Sequence, residues 1–254
     1  MARPVVLVTG LSGLIGGAFL AREGAGYDVR GLSRRPVAGV TSHPGDITDA
    51  ETIAPAFAGV DAVVHLAAAV GADTPFADLV RHNITGTYNV FECARRAGVR
   101  RVIFASSGNT VTAWEREMPY SALVGGRYDA VKGEGWERIS PLALGRPGSL
   151  YGCSKLFGET LGRFYADVHG LSVICLRIGH VSAPDRPGNA REFTVWCSQR
   201  DVARAIALAI DAPATVRYEI LFITSDNRWG YRDLARSREV LGYVPRDRAE
   251  DHRQ

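Results

Sequence analysis

Hydrophobic positions along this chain follow two rhythms. Short continuous apolar runs, rich in β-branched residues, alternate with longer stretches in which apolar positions recur every three or four residues. The first kind reads as strands buried on both faces of a parallel sheet, the second as amphipathic helices laid across it. Strands are predicted at Pro4 to Val8, Tyr27 to Leu32, around Val40, Val60 to Leu66, Arg101 to Ala105, Leu171 to Ile178 and Tyr218 to Thr224. Helices are predicted after Gly16, from about Ala50 with Asp49 as N-cap, and from about Phe76 to Ala97 with Gly98 as C-cap. Others run from Tyr151 through Phe157, Leu161, Phe164 and Tyr165, from Ser198 to about Asp211, and from Tyr231 to Val240. Strands and helices in alternation give an α/β fold with a doubly wound parallel sheet. The charged residues after Arg246 read as a frayed tail.

Composition narrows the class without naming an activity. The 254 residues are 46% hydrophobic, enough for one sizeable core, in one domain or one domain with a small appendage. Thirty Lys and Arg against 27 Asp and Glu leave a net charge of +3, which points to neither nucleic acid nor a membrane surface as partner. Every apolar run is broken by glycine or charge before it reaches the length of a membrane span. Cys93, Cys153, Cys175 and Cys197 lie far apart and no secretory leader is recognisable, so the expectation is reduced, mostly buried thiols in a cytoplasmic protein. The six histidines show no ligand spacing, so no metal site is expected.

Candidate chemistry collects where the strands end. The first strand runs into Thr9-Gly10-Leu11-Ser12-Gly13-Leu14-Ile15-Gly16. Gly10 permits a tight turn, Gly13 lets the backbone approach a pyrophosphate, and Gly16 lets the next helix pack on the strand with its N-terminus facing phosphate. Gly10 to Gly16 are therefore candidate cofactor contacts; a glycine turn without a ligand has the same spacing. After the second strand, an acidic residue would bind the adenosine ribose and favour NAD. This chain has Ser33-Arg34-Arg35, cations suited to a 2′-phosphate, so NADP is favoured over NAD. As an ordinary solvated loop pair, Arg34 and Arg35 would carry no such meaning.

Asp46, followed by Ile47, is placed to accept from an adenine amino group, and Leu66, Ala67 and Ala68 leave room for backbone close to a cofactor. His65 reads as a satisfied core residue. Asn83 is a candidate cofactor contact or a tie between its helix and a neighbouring loop, and Ile178 closes the set at the end of the sixth strand. Ser106 and Ser107 arrive at the carboxyl edge of the sheet, where open α/β folds bind ligands. Tyr151 and Lys155 stand one helical turn apart on one face, where an ammonium would lower a phenol's pKa. As a surface pair they would do nothing.

In this order these residues resemble the extended short-chain dehydrogenase/reductase family, also described as NAD-dependent epimerase/dehydratase, and most of all its uronate dehydrogenases. The resemblance implies a Rossmann-type dinucleotide-binding domain over residues 1–178 and a small substrate-binding part over 179–254. It implies that Tyr151 is the general acid/base, that Lys155 holds the nicotinamide ribose and lowers the Tyr pKa, and that Ser107 rather than Ser106 orients the reacting oxygen. The likeness to uronate dehydrogenases rests on Arg177-Ile178-Gly179, on Ala190-Arg191 with Trp196-Cys197-Ser198, and on Leu241-Gly242-Tyr243-Val244-Pro245-Arg246-Asp247. Its implied substrate is a sugar or sugar acid near Ser107, Gly108, Asn109, His180 and Arg191, with Arg191 gripping a carboxylate as a planar fork. A homodimer through the Asn83 and Lys155 helices is implied as well.

The chain departs from that pattern at Ser33, where an Asp is expected, at Gly108, for an Asn, and at His180, for a Ser. A segment within about 109–148 looks inserted, with Tyr120, Gly125-Gly126, Tyr128, Lys132 and Gly133-Glu134-Gly135-Trp136. It reads either as a lid or enlarged pocket, or as a surface excursion or subunit contact. Two other activities share these motifs. One is a nucleotide-sugar epimerase or dehydratase, which returns the hydride and usually carries a larger C-terminal domain. The other is a non-catalytic dinucleotide sensor.

Overall fold

A computed structural model describes residues 3–131 and 135–253. The seven strands are β1 (Val5–Thr9), β2 (Asp28–Ser33), β3 (Thr41–Pro44), β4 (Ala62–His65), β5 (Arg101–Ser107), β6 (Ser172–Ile178) and β7 (Tyr218–Ile223). They form one sheet in the order β3-β2-β1-β4-β5-β6-β7, every neighbouring pair parallel. The order reverses between β1 and β4, so the connections leaving their carboxyl ends part to opposite sides and open the crevice in which such sheets take ligands.

The helices that matter for the site follow the strands. Helix α1 (Leu14–Glu23) comes directly after β1, and α2 (Ala50–Ile53) is capped by the Asp49 carboxylate, which accepts from the backbone N–H groups of Glu51 and Thr52. The predicted helix from Phe76 to Ala97 is in three pieces: α3 (Phe76–Asp78), a π-helical stretch (Leu79–Gly86) and α4 (Thr87–Arg96). It closes on Gly98 at φ +73°. After β5 come a 3-10 stretch (Gly108–Arg116) and α5 (Tyr120–Val124), then the long α6 (Leu150–His169), capped by the Ser149 hydroxyl. Helices α7 (Glu192–Val195), α8 (Gln199–Ile210) and α9 (Ala235–Leu241) complete the chain.

One core lies on each face of the sheet, and a third lies beyond its carboxyl edge. The first joins Phe19 of α1 to Val202, Ile206 and Ile210 of α8, and the second packs Phe91 of α4 and Tyr165 of α6 on Val63, Val102 and Val173. Residues after 178 share the first core, because β7 extends the sheet and α8 covers it beside α1. The third core is built largely by the segment over 109–148: Val111, Tyr120, Leu123 and Ile139 pack on Val195, Phe222 and Tyr231, with Trp114, Trp136 and Trp229 around them. Most of the segment's aromatics thus close over the sheet edge. Lys132, Gly133 and Glu134 lie outside the described residues.

Two expectations are corrected. The helix expected from Tyr231 begins only at Ala235, because Tyr231 to Asp233 runs extended beside Ile139: Ile139 N–H donates to the Tyr231 carbonyl at 2.7 Å and Asp233 N–H to the Ile139 carbonyl at 3.0 Å. The tail after Arg246 is tied down, with Ala249 fully buried and the Asp247 carboxylate accepting from Ser198 Oγ at 2.6 Å. Among the described residues no helix is long and apolar enough to cross a membrane.

Candidate active site

The glycine turn has the shape its sequence predicts. Gly10 adopts φ +69°, and a Cβ there would stand 2.9 Å from the Ala67 backbone nitrogen. At Gly16 a Cβ would fall 2.6 Å from Leu11 Cα and O, so only glycine lets α1 pack this close to the turn. Gly13 is the N-cap of α1 and offers no side chain, which leaves first-turn N–H groups open toward the crevice. A cleft runs from Ser12, Gly13 and Leu14 along α1 to Gln199 of α8, whereas the Leu11 side chain is buried in the core. A glycine cradle at the positive end of a helix fits a dinucleotide pyrophosphate.

The adenosine end is less committed. Ser33 Oγ donates to the Arg35 carbonyl at 2.5 Å, holding the turn, and Arg34 and Arg35 are exposed. Asp46 accepts from Thr48 N–H at 3.0 Å and faces Arg81 at 3.9 Å, while Ile47 is buried against Gly86. Ala67 N–H donates to Thr9 Oγ1 at 3.1 Å, which fixes the Leu66–Ala68 segment beside the glycine turn. His65 is the satisfied core residue expected: Nδ1 lies 2.8 Å from Thr9 Oγ1 and Nε2 3.2 Å from Thr87 Oγ1. Burial, with the Lys155 charge second, pushes its pKa down to about 3, so it is neutral.

Asn83 sits in the π-helical stretch, where the extra residue per turn aims its amide across the crevice. It accepts from Ala69 N–H at 2.8 Å and donates to the Ala69 carbonyl and to Ser154 Oγ, both at 2.9 Å. Ser154 in turn donates to the Tyr151 carbonyl at 2.7 Å. Asn83 therefore ties the loop after β4 to α6.

The end of β5 brings Ser107 to Tyr151 and Lys155 on α6. Ser106 points the other way, its Oγ bonded to Glu159 Oε1 at 2.5 Å. Ser107 Oγ accepts from Asn109 N–H at 3.1 Å, and its hydroxyl is the neighbour that acts on the Tyr151 phenol. Burial raises that phenol to about 12, with the Ser107 bond acting in the opposite direction. Lys155 is 4% exposed, and its Nζ donates to the Ala105 carbonyl at 2.8 Å while lying 5.6 Å from the Tyr151 ring centroid. Burial draws the ammonium down to about 8 against the pull of Glu159. Desolvation is the dominant influence at both groups. Ile178 is buried at the end of β6, next to Ser107 in the sheet register.

Near these groups lies a cleft of about 440 Å³ lined by Ala72, Asn109, Thr112, Glu115, Arg116, Val124, Gly148, Ser149 and Arg191. Arg191 reaches it, but its fork is already occupied: Nε and Nη2 donate to Glu115 at 2.6 and 2.7 Å. The His180 side chain is exposed and faces Glu192 at 3.5 Å. Sequence reading missed Glu115, and it missed Glu159, which holds Arg177 through two 2.8 Å bonds behind Ser106. Glu159 stands four residues after Lys155, a local signal; Glu115 carries none, because its partner lies 76 positions away.

Residues 6–196 match the model of the NAD dependent epimerase/dehydratase family. The chain belongs to that family. It is 35% identical over 252 residues to an NAD-dependent glucose-6-phosphate dehydrogenase of Haloferax volcanii, with 95% of this chain and 93% of that protein covered. An L-arabinose 1-dehydrogenase (NAD(P)(+)) of the same organism is 33% identical over 256 residues, covering 97% of each. Among solved structures, uronate dehydrogenase from Agrobacterium tumefaciens superposes with a TM-score of 0.81 at 31% identity, over 99% of this chain and 87% of that one. Uronate dehydrogenases are thus among its relatives, as the motifs implied, beside dehydrogenases of other sugars.

Proposed function

We propose that this member of the family is an NAD(P)-dependent sugar dehydrogenase, oxidising a hydroxyl or hemiacetal of a sugar or sugar acid. The observation that carries the reading is the meeting of Ser107, Tyr151 and Lys155 at the carboxyl edge, on the same crevice as the glycine cradle. Relatives named as sugar dehydrogenases support the substrate class. The nicotinamide supplies the hydride acceptor. Ser107 turns its hydroxyl from Tyr151 to the reacting oxygen and orients it by a donated hydrogen bond. Tyr151 takes the hydroxyl proton at its own oxygen as the C–H bond breaks. The ammonium of Lys155, with hydrogen-bonding capacity left beyond Ala105, supports the phenolate and is positioned to hold a ribose.

The test is nicotinamide reduction followed by absorbance, with purified protein, each oxidised cofactor, and a panel of uronates, sugar phosphates and neutral sugars. Turnover is expected with at least one, and Tyr151→Phe should lower kcat by 10²-fold or more, to order of magnitude, with cofactor binding retained. Full activity in that variant sinks the assignment.

The cofactor reading favours NADP, from exposed Arg34 and Arg35 and the lack of an acidic side chain at Ser33. Ser33→Asp with Arg34→Ala should move kcat/KM toward NAD by about tenfold or more, an estimate from the loss of a charge-assisted contact. An unchanged cofactor ratio would show that the adenosine end is read elsewhere. The assembly proposed is a homodimer through α4 and α6, which leave Tyr88, Phe164 and Val168 exposed.

A further inference from the structure

Arg232 is a guanidinium whose surroundings the fold alone does not explain. It is 5% exposed, and among the described residues neither Nε nor Nη1 has a hydrogen-bond partner. Its Nη2 reaches only the Tyr231 hydroxyl, at 3.5 Å. The rings of Tyr231 and Phe222 lie 5.4 and 5.8 Å away. Aromatic faces soften the burial of a cation, but they do not satisfy its N–H groups.

The group lies beside the end of β5. A Cβ on Gly108 would fall 2.2 Å from Arg232 Cζ, Nη1 and Nη2, so the guanidinium occupies the space where any side chain at 108 would begin. Gly108 follows Ser107 directly, which puts this charge beside the catalytic serine. The Tyr231 hydroxyl that it approaches is bonded to Glu115, which lines the cleft that Arg191 reaches. Glu115 is fully engaged by Arg191 and Tyr231. The cation expected to meet the substrate is neutralised within the chain, whereas the one beside Ser107 is not. Extended pairing with Ile139 holds Arg232 in place, so the inserted segment builds this corner.

We propose that Arg232, admitted by Gly108, forms an anion subsite beside Ser107 that takes a carboxylate or phosphate group carried by the sugar. The inference rests on the dehydrogenase reading for the rest of the substrate. A planar fork with unpartnered N–H groups matches either oxyanion, and a buried setting strengthens the pairing. Glycine at 108 and arginine at 232 then act together: a side chain at the first position would displace the second.

The experiment has two readouts on the intact protein. Thermal unfolding is followed with inorganic phosphate, glucose 6-phosphate, glucuronate and glucose, and kcat/KM is measured for the three sugars. An anion, and not glucose, should raise the Tm of the wild type. Protection by phosphate and glucose 6-phosphate identifies a phosphate group as the ligand; protection by glucuronate alone identifies a carboxylate. Arg232→Gln should abolish the shift and lower the ratio of anionic to neutral sugar kcat/KM on the order of 10²-fold, as expected for a charge-assisted fork. Gly108→Ala, which keeps the charge but pushes it aside, should do the same, and Arg232→Lys should restore part of the preference. A wild type that responds to no anion overturns the subsite even if glucose is oxidised. Protection by an anion without turnover of any sugar would support the subsite and remove the dehydrogenase reading. If Arg232→Gln does not fold, the wild-type shifts and the Gly108→Ala ratio decide.

Discussion

At the scale of single residues, burial sets the chemistry more than pairing does. Tyr151 is held near 12 by desolvation, and its neighbour Lys155 near 8 for the same reason. In the proposed mechanism, raising the pH supplies phenolate for sugar oxidation, but from about 8 upward it withdraws the ammonium that supports it. The kcat/KM for oxidation should therefore rise from pH 6 and level off near the Lys155 value. The Ser107 bond lowers the phenol, so Ser107→Ala must raise it, and the rising limb should move to higher pH as the rate falls. A limb that stays in place would show that the two hydroxyls are not coupled. Lys155 also works against the fold: between pH 8 and 10.5 the folded state binds fewer protons than the unfolded one, so stability rises with pH across that window.

Among the elements, the π-helical stretch is the one the periodicity concealed. Its apolar pattern continues into α4, and the sequence reads as one helix; the long turn exists because the Asn83 amide bonds a loop and a second helix at once. Asn83→Ala removes three hydrogen bonds and leaves the Ala69 N–H and C=O without these partners. The expected cost is about 2 to 3 kcal/mol in chemical denaturation, with kcat lowered because Ser154 and Tyr151 share the tie. A loss under about 0.5 kcal/mol would mean that water replaces the amide. The segment from Tyr231 to Asp233 went the same way: apolar spacing favoured a helix, and the backbone of Ile139 claimed it for pairing.

For the whole molecule, helices α4 and α6 are joined by the Tyr165 hydroxyl, which donates to Glu92 at 3.0 Å, and together they present Tyr88, Phe164 and Val168 outward. A second copy burying these residues would give the proposed dimer. Light scattering should report twice the chain mass, and Phe164→Asp should reduce it to one chain while leaving the fold intact by circular dichroism. A wild type of single-chain mass at working concentration removes the proposal.

Much of this protein was legible before any tertiary contact was known. Strand runs, the glycine turn, Asp49 as a cap and the arrival of Ser107 at a strand end are local properties of backbone and hydrophobic pattern, and the family motifs placed Tyr151 and Lys155 on one helix face. Three matters belonged to the tertiary structure alone. Glu115 took the fork of Arg191, and Arg232 came to lie over Gly108 from a point well over a hundred residues along the chain. Burial, which no residue carries in its own identity, fixed the protonation of Tyr151, Lys155 and His65. Sequence determines which groups a site can draw on, because periodicity and turn chemistry act over a few residues. Which charges are paired, and which are left to meet a ligand, is decided by contacts between distant segments and by the water they exclude.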